Sequence, residues 1–335
     1  MTLEQEQYSR FFIVKEMMET ADVIRRFDVQ RALNYAPTES RILLTGEGSS
    51  RLFPAKRAVA AGMGQAHDRV LVTEGATQAG EYQLDGYEVY AASNSGRTAE
   101  VVRLIRHCRD AAPSVRVTAV VANAASPIAD ISDRVFVLDC GVEKAIAATK
   151  SVVEQALFYH VVLAHANTGG EVDLTALSAA FRQALTTPIP AETVRTAVAA
   201  PVIYFAGRTD GVAEELTLKT NEITRKKSDY LEGTYAVHGI EEVMEAGELL
   251  VLIDPFPNEE AKIAEVLADG VGLSVVSIAA RETRFPTIRI PDLRGLEPYL
   301  QLAAGWNLLV EIGIAAGINM DKPARARKVG NEFGG

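Results

Sequence analysis

One succession of strands and helices occurs twice along this chain, and this repeat constrains its fold more than any other feature. Continuous apolar runs, which predict buried strands, cover residues 39–48, 87–93, 114–123 and 133–139 in the first half and 199–208, 247–254, 272–280 and 285–292 in the second. Helical spacing fills the intervals, and a long apolar helix closes each half. Apolar strands that alternate with helices form parallel sheets covered on both faces. The sequence therefore predicts an α/β protein with two doubly wound, mainly parallel sheets, each in a flavodoxin-like three-layer sandwich.

The repeat also predicts where the domains begin and end. We expect N-terminal helices at 1–37, a first α/β domain at 38–168, a linker at 169–198, a second α/β domain at 199–317 and a tail at 318–335. The linker is indicated by a glycine pair and two prolines around a helical segment.

The charge and the apolar runs of the chain exclude some classes of partner. With 44 acidic and 34 basic residues the net charge is −10, which argues against nucleic acid and against an anionic membrane surface. The first 20 residues lack the basic start and apolar core of a signal peptide, and no apolar run reaches spanning length. We therefore expect a cytoplasmic protein with free buried thiols at Cys108 and Cys140. We expect neither a metal ion nor a cofactor.

Hydroxyl side chains follow two of the predicted strands. The run Ser-Asn-Ser-Gly-Arg-Thr at 93–98 lies between a strand and a helix that is predicted to begin at Ala99, and Ser49 and Ser50 follow an earlier strand. Backbone N–H groups at a helix N-terminus bind phosphate without a lysine. An ordinary strand-to-helix turn with a hydroxyl cap has the same pattern. Both turns are expected at the carboxyl ends of strands, where ligands bind in open α/β sheets.

A charged helix face is predicted in the second half of the chain. Glu215, Lys219 and Glu222 have the spacing i, i+4 and i+7, which places them on one side of a helix. On spacing alone, a solvated face with weak ion pairs explains this pattern. A carboxylate beside an ammonium also suits the proton transfer between C1 and C2 that sugar isomerisation requires.

The order of these motifs resembles a known family. A strand followed by GEGSS, a strand followed by SNSGRT, and a VEKAIAATK segment are similar to the tandem sugar isomerase (SIS) domains. That family includes the isomerase half of glucosamine-6-phosphate synthase, related deaminases and fructosamine-6-phosphate deglycases. The resemblance implies a sugar phosphate as the small-molecule ligand. The substrate- and phosphate-binding residues that it implies are Ser49, Ser50, Ser93, Asn94, Ser95, Thr98, Glu143, Ala147 and Glu215.

The resemblance also implies four catalytic residues. Glu222 would be the base, and Lys219 would set its charge state or contact the sugar. His238 would open the pyranose ring, and in the family this histidine reaches the neighbouring subunit, which implies a homodimer with shared active sites. Lys328 would meet the open-chain carbonyl as a Schiff base or as a hydrogen-bond donor. The residues after Lys328 are expected to order against the sugar site or the partner subunit.

Several functions remain open from the sequence. The first is aldose–ketose isomerisation of a hexose or amino-hexose 6-phosphate through an enediol or enolamine, with deamination as the nearest variant. Deglycation of a fructosamine 6-phosphate is another variant. A non-catalytic sugar-phosphate sensor is the alternative from a different class, and a subunit that depends on a separate ammonia-producing partner is a further one.

Overall fold

The computed structural model of the chain describes residues 1–64, 69–164, 172–327 and 331–334. Within these ranges the strands form two five-stranded sheets, and all neighbouring strands are parallel. Sheet 1 contains β1 (Arg41–Gly46), β2 (Val70–Gly75), β3 (Tyr87–Ser93), β4 (Arg116–Val121) and β5 (Arg134–Val137). Sheet 2 contains β6 (Val202–Gly207), β7 (Lys227–Glu232), β8 (Leu249–Ile253), β9 (Ser274–Ala279) and β10 (Thr287–Arg289). The predicted α/β class is confirmed.

Helices precede, connect and follow the strands. They are α1 (Glu6–Ser9), α2 (Phe12–Arg26), α3 (Val29–Leu33), α4 (Leu52–Met63), α5 (Ala76–Ala79), α6 (Ala99–Ala111), α7 (Pro127–Ile131), α8 (Lys150–Tyr159), α9 (Leu174–Thr186), α10 (Ala191–Ala199), α11 (Val212–Thr224), α12 (Glu260–Ile263) and α13 (Glu297–Ala315). π-helical turns continue α8 over His160–Ala164 and α12 over Ala264–Val271. Among the described residues, no helix combines the length and the apolar character that crossing a bilayer requires.

The chain forms two compact units, each with one sheet. The sheet-1 unit consists of Asp22–Glu143, Ala148–Leu174 and Ala326–Gly335. The sheet-2 unit consists of Met1–Ala21, Lys144–Ala147 and Thr175–Arg325. Residues 169–171 of the predicted linker lie outside the described residues, and its remainder contains α9 and α10.

Both sheets have the same strand order, and this order determines where a ligand can bind. Sheet 1 runs β2-β1-β3-β4-β5, and sheet 2 runs β7-β6-β8-β9-β10. In each sheet the chain moves outward from the first strand to an edge and then crosses to the opposite side of that first strand. The order therefore reverses between β1 and β3 in sheet 1, and between β6 and β8 in sheet 2. Open parallel sheets bind ligands at the carboxyl ends of the strands next to such a reversal.

Two edge strands are present that the apolar runs do not predict. β2 lies beside β1 and β7 lies beside β6, each at one edge of its sheet. β2 has no fully buried residue, and β7 has one. Central strands are buried on both faces and read as apolar runs, whereas β7 is mostly polar and β2 has a run of only three apolar residues before a polar end.

The core of each unit is apolar, and the sulfur atoms belong to it. Ile42, Leu43 and Leu44 of β1 are at most 1% exposed. Cys108 and Cys140 are both buried free thiols, as the sequence predicts. Burial raises the pKa of each thiol, so both remain protonated at neutral pH.

A buried Arg–His contact ties α4 to the end of α8 in the sheet-1 unit. Arg57 is 4% exposed and donates a hydrogen bond from Nη2 to His160 Nδ1 at 2.8 Å. Burial, and then the charge of Arg57, lowers the pKa of His160 to about 3. His160 is therefore neutral in the folded protein across the physiological range.

This contact predicts a pH-dependent stability. Because unfolded histidine titrates near 6.5, the unfolded chain binds one more proton than the folded chain between pH ~6.5 and pH 3. We expect His160 to make the free energy of unfolding fall with falling pH, by up to about 1.4 kcal/mol per pH unit. His160→Gln keeps an acceptor for Arg57 and should remove this part of the slope in urea unfolding. His107→Gln is the matched control, because His107 is exposed on α6. Equal slopes in wild type and His160→Gln would contradict the assignment.

Candidate functional site

Two turns lie at the reversal point of sheet 1. β1 is followed by a 3-10 turn at Gly48–Ser50, and β3 is followed by loop 93–98, which leads into α6. β1 and β3 are hydrogen-bonded neighbours, so both turns lie at the same edge of the sheet. Gly46 is required at the end of β1, since a Cβ there would lie 2.9 Å from the carbonyl oxygen of Ala92.

The loop formed by residues 93–98, the hydroxyl loop, is held by its own side chains. Ser93 is 2% exposed, and its hydroxyl lies 2.8 Å from that of Thr98 and accepts from the Gly96 N–H at 3.1 Å. Gly96 has a φ of +67°, and a Cβ there would lie 2.1 Å from Ser126 Oγ, so only glycine fits. The backbone N–H groups of Ser95 and Thr98 donate to no residue in the described ranges. These two amides are available to an anion at the start of α6.

Glu143 caps α8 and orients one side chain of the hydroxyl loop. Its carboxylate is 7% exposed and accepts from the backbone N–H groups of Thr149 at 2.7 Å and Lys150 at 2.8 Å. It also accepts from the Ser151 hydroxyl at 2.6 Å and from Asn94 Nδ2 at 2.8 Å. A carboxylate at a helix N-terminus is stabilised by the helix dipole. The Glu143 oxygens are thus engaged with protein donors, and Asn94 is held beside the loop.

The end of the chain pairs with the hydroxyl loop where the loop enters α6. The Ala99 N–H donates to the Asn331 carbonyl at 3.0 Å, and the Phe333 N–H donates to the Arg97 carbonyl at 2.8 Å. The carboxylate of Glu332 forms an ion pair with Arg97. The Phe333 ring packs against the apolar core of the unit. The tail therefore accepts a hydrogen bond from the Ala99 amide of α6 and leaves the amides of Ser95 and Thr98 open.

The charged helix face predicted in the second half forms a buried ion triad on α11. Lys219 Nζ lies 2.8 Å from Glu222 Oε2 and 3.2 Å from Glu215 Oε1. The Lys219 and Glu215 side chains are fully buried, whereas that of Glu222 is 23% exposed. Helix α13 packs closely on α11, since a Cβ added at Gly305 of α13 would lie 2.4 Å from Leu216 Cδ2. Glu222 is thus the carboxylate of the triad that solvent reaches.

The charge state of Lys219 is determined by two opposing effects. Burial by itself lowers the pKa of a lysine, but the carboxylates of Glu215 and Glu222 outweigh it and raise the pKa of Lys219 above its ordinary value. Lys219 is therefore a permanent cation at neutral pH. It holds the Glu222 carboxylate by a hydrogen bond in a fixed position.

The segment that leads toward Lys328 is anchored to the end of α11. Arg225 Nη2 donates to the carbonyl oxygens of Asn319 at 3.1 Å and Lys322 at 2.7 Å. The carboxylate of Asp321 accepts from the first two N–H groups of α2, at 2.6 and 2.9 Å. Lys328 itself lies outside the described residues.

His238 lies in an exposed stretch of the sheet-2 unit. It separates 3-10 turns at Tyr235–Val237 and Ile240–Val243, and the following Gly239 has a φ of +107°. Its imidazole forms no hydrogen bond or ion pair with any residue that the structure describes. Ala147 is 4% exposed, in a segment where the Ala145 N–H donates to Glu16 at 3.3 Å.

The predicted site residues thus fall into two connected groups. The first group contains Ser93, Asn94, Ser95, Thr98 and Glu143, and the second contains Glu215, Lys219 and Glu222. Ser49 and Ser50 belong to the neighbouring turn, where Gln155 Nε2 donates to Ser50 Oγ at 3.5 Å. The pairing of Asn331 and Phe333 with the hydroxyl loop has no local sequence signal, because it depends on a contact with residues more than 200 positions away.

Comparison with known proteins supports the predicted resemblance in sequence. No protein-family model matches the chain. The glutamine–fructose-6-phosphate aminotransferase (isomerizing) of Streptomyces coelicolor is 26% identical over 267 residues, which is 72% of this chain. The match covers 43% of that relative, so the chain spans less than half of its length.

Solved structures share the fold over nearly the whole chain. A tagatose-6-phosphate ketose/aldose isomerase from Escherichia coli superposes with a TM-score of 0.79 at 18% identity, covering 96% of this chain and 98% of that one. A glucosamine-6-phosphate deaminase from Thermotoga maritima superposes with a TM-score of 0.74 at 18% identity, covering 95% and 99%. The chain therefore has the fold of the tandem SIS phosphosugar isomerases, and the resemblance that the sequence predicts is confirmed.

The hydroxyl groups of Ser95 and Thr98, which accompany the open amides of the hydroxyl loop, lead to a binding prediction. We expect Ser95→Ala combined with Thr98→Ala to weaken the binding of inorganic phosphate by about 10²-fold, the effect of losing two hydrogen bonds to a charged group. Isothermal titration calorimetry measures the change. Thr77→Ala is the control, because that exposed hydroxyl lies on α5 of the same unit. Equal affinity in the double variant and the control would exclude these two hydroxyls as donors to the anion.

Proposed function

We propose that this chain is a phosphosugar isomerase that interconverts an aldose and a ketose hexose 6-phosphate. The observation that carries the proposal is the triad on α11, in which the buried Lys219 holds the solvent-accessible Glu222 carboxylate at 2.8 Å. On an ordinary exposed helix face, this lysine would be solvated, whereas here its exposure is 0%. A carboxylate that is held in a fixed position and remains open to solvent is suited to act as a general base.

The reaction needs one group that removes and returns a proton. In the proposed mechanism, Glu222 takes the C2 hydrogen of the open-chain aldose as a proton and leaves an enediolate with its negative charge on the C1 oxygen. The proton of the C2 hydroxyl passes through solvent to the C1 oxygen, and the carboxylic acid of Glu222 returns its proton to C1, so that C2 becomes the ketone and C1 carries the hydroxyl. Lys219 does not exchange this proton, because its raised pKa keeps it protonated. Its role is to position Glu222.

The phosphate group of the substrate is assigned to the hydroxyl loop. Ser95 and Thr98 offer backbone N–H groups and hydroxyls, while the buried Ser93 and the Asn94–Glu143 pair position the loop. Ser49 and Ser50 on the adjacent turn are proposed as further donors. A phosphate dianion at a helix N-terminus is stabilised by the unpaired amides and by the helix dipole.

Deamination of an amino-hexose 6-phosphate is the second candidate. Its support is the likeness in fold to the Thermotoga maritima protein, which is a glucosamine-6-phosphate deaminase. The same base would act, and an enolamine would replace the enediol before ammonia leaves. Release of ammonia from glucosamine 6-phosphate, measured beside ketose formation, distinguishes the two reactions.

Ring opening is assigned to His238 of a second copy of this chain. The exposed imidazole forms no hydrogen bond in the described part of the chain, and it is accompanied by exposed apolar side chains, with Tyr235 48% and Val243 68% exposed. An exposed imidazole in a segment that also exposes apolar side chains suits a symmetric dimer interface, in which the partner supplies the acid that opens the ring. Lys328 is proposed to contact the open-chain carbonyl.

Removal of the base tests the catalytic assignment. Glu222→Gln keeps the shape of the side chain and removes its basicity, so we expect turnover to fall by about 10²–10⁴-fold, the range for a general base. Phosphosugar affinity should change little, because the phosphate loop is untouched. Glu214→Gln is the matched control on the same helix and should keep turnover within about twofold. Retained turnover in Glu222→Gln would assign the base to another residue.

Mixing two inactive variants tests the shared site. If His238 acts in the partner's site, subunits with Glu222→Gln and subunits with His238→Ala should complement each other. After random exchange, half of the dimers are mixed and each holds one intact site of two, so about a quarter of the wild-type activity should return. Sedimentation should show a dimer throughout. An active monomer, or no recovery after demonstrated subunit exchange, would contradict this arrangement.

A further inference from the structure

A cleft of about 460 Å³, lined mainly by charged residues, lies within the sheet-2 unit, apart from every residue assigned above. Its lining includes Arg208, Asp254, Arg281, Arg294, Glu297 and Gln301. Neither the proposed base nor the proposed phosphate loop contributes to it. The cleft therefore has no role in the isomerase mechanism.

The cleft lies at the reversal point of sheet 2. Arg208 directly follows β6, and Asp254 directly follows β8, which is the neighbour of β6 across the reversal. Arg281 comes two residues after the end of β9. In sheet 1 the same position holds the hydroxyl loop and the Gly48–Ser50 turn. The cleft is thus the sheet-2 counterpart of the proposed phosphate site, at the place where parallel sheets bind ligands.

A buried polar group without a partner lines the cleft. Gln301 lies in the second turn of α13 and is 4% exposed. Its Oε1 accepts no hydrogen bond from any residue in the described ranges. A buried carbonyl oxygen that has lost its water destabilises a fold unless something donates to it. A hydroxyl group of a ligand would supply that donor.

Ion pairs hold some arginines of the cleft in place and leave another available. Arg208 Nη1 lies 2.7 Å from Asp254 Oδ2, and its guanidinium lies over the Phe256 ring at 4.5 Å. Arg281 is held by Glu260 at 2.6 Å. Arg294 forms no ion pair or hydrogen bond with the residues that the structure describes. A ligand would therefore meet a preorganised wall and one uncommitted guanidinium.

The backbone at Asp254 is unusual. Its φ is +44°, in the left-handed region that non-glycine residues rarely adopt, and its N–H donates to the Ile278 carbonyl at 2.9 Å. Its carboxylate faces both Arg208 and Arg281. Backbone strain of this kind is concentrated at functional sites, where it fixes a side chain in a required position.

The charges of the lining indicate which ligand fits. Three arginines and four carboxylates line the cleft, so positive charge does not dominate as it would in a site for phosphate alone. Hydroxyl groups both donate and accept, and they match a surface that alternates guanidinium, carboxylate and amide groups. The hydroxyl groups of a polyhydroxylated small molecule would donate to Gln301 Oε1 and the carboxylates, and would accept from Arg294.

The cleft is separate from the proposed base. It approaches α11 from its N-terminal side, since Asp210 lines it and α11 begins at Val212. Glu222 is ten residues after Val212, and a rise of 1.5 Å per residue puts roughly 15 Å between their Cα atoms. One hexose in the cleft would not reach Glu222.

We propose that this cleft is a second, non-catalytic sugar site that binds a hexose through its hydroxyl groups. The site is independent of the proposed isomerase chemistry. Free hexoses and hexose 6-phosphates share the same hydroxyl groups. The phosphate of a hexose 6-phosphate would also form an ion pair with the guanidinium of Arg294.

The test measures binding by calorimetry in a protein whose phosphate loop is disabled by Ser95→Ala and Thr98→Ala. The probes are glucose, fructose, glucosamine, glucose 6-phosphate and fructose 6-phosphate, each at up to ~10 mM, which detects millimolar affinities. We expect at least one probe to bind with one molecule per chain. Equal binding of a hexose and its 6-phosphate assigns the affinity to the hydroxyl groups. Binding of the 6-phosphate alone assigns part of the affinity to a contact between the phosphate group and Arg294. No binding by any probe would overturn the proposal.

Two variants of the cleft locate that binding. Gln301→Met has a similar volume without polar atoms, and we expect it and Arg294→Ala to weaken binding by about tenfold or more. If Gln301 serves the ligand, Gln301→Met should not lower the melting temperature of the free protein. If Gln301 instead stabilised the fold, the same substitution would lower it. Arg195→Ala is the control, because Arg195 is an exposed arginine of the same unit. Unchanged affinity in both cleft variants would overturn the proposal. Glu222→Gln should lose turnover and still bind the probe in the cleft, which separates this site from the proposed catalytic base.

Discussion

The burial of Lys219 is the constraint on which the proposed chemistry depends. A lysine removed from water is stable only if opposite charges replace its hydration, and Glu215 and Glu222 on the same helix do so at 3.2 and 2.8 Å. Since the pKa of Lys219 is raised, its contribution to stability is present at all pH values below the ordinary titration of lysine and is lost only above it. Glu215 is fully buried, so Glu222 is the triad carboxylate that can meet a substrate.

The two sheets use one topology for two different surfaces. At the reversal point of sheet 1, small residues and a glycine with positive φ leave backbone amides open at the start of α6. At the reversal point of sheet 2, long charged side chains follow the strands and form a cleft. The first surface suits a compact anion, and the second suits a ligand with many hydroxyl groups. The strand order determines where both surfaces lie, and the residues after each strand determine what each surface can bind.

The sequence predicts the features that depend on neighbours along the chain. Central strands such as Leu249–Ile253 are continuous apolar runs, and the i, i+4, i+7 spacing places the three charged residues on one face of α11. The edge strand Lys227–Glu232 escapes prediction because most of its residues are polar and only one of them is buried. Burial of Lys219, capping of α8 by Glu143 and the unpaired Gln301 depend on tertiary packing, which spacing does not encode. The role of His238 rests on family resemblance, because the structure leaves its side chain exposed.

Exchange of a sugar hydrogen with solvent measures the proposed proton transfer at C2 directly. Glucose 6-phosphate and glucosamine 6-phosphate can be incubated with the wild-type protein in D₂O and followed by proton NMR. We expect the C2 hydrogen of at least one of these sugars to be replaced by deuterium at a rate proportional to protein concentration. Tight binding of these phosphosugars without any exchange at C2 would contradict the proposed isomerase chemistry and identify the protein as a sugar-phosphate sensor.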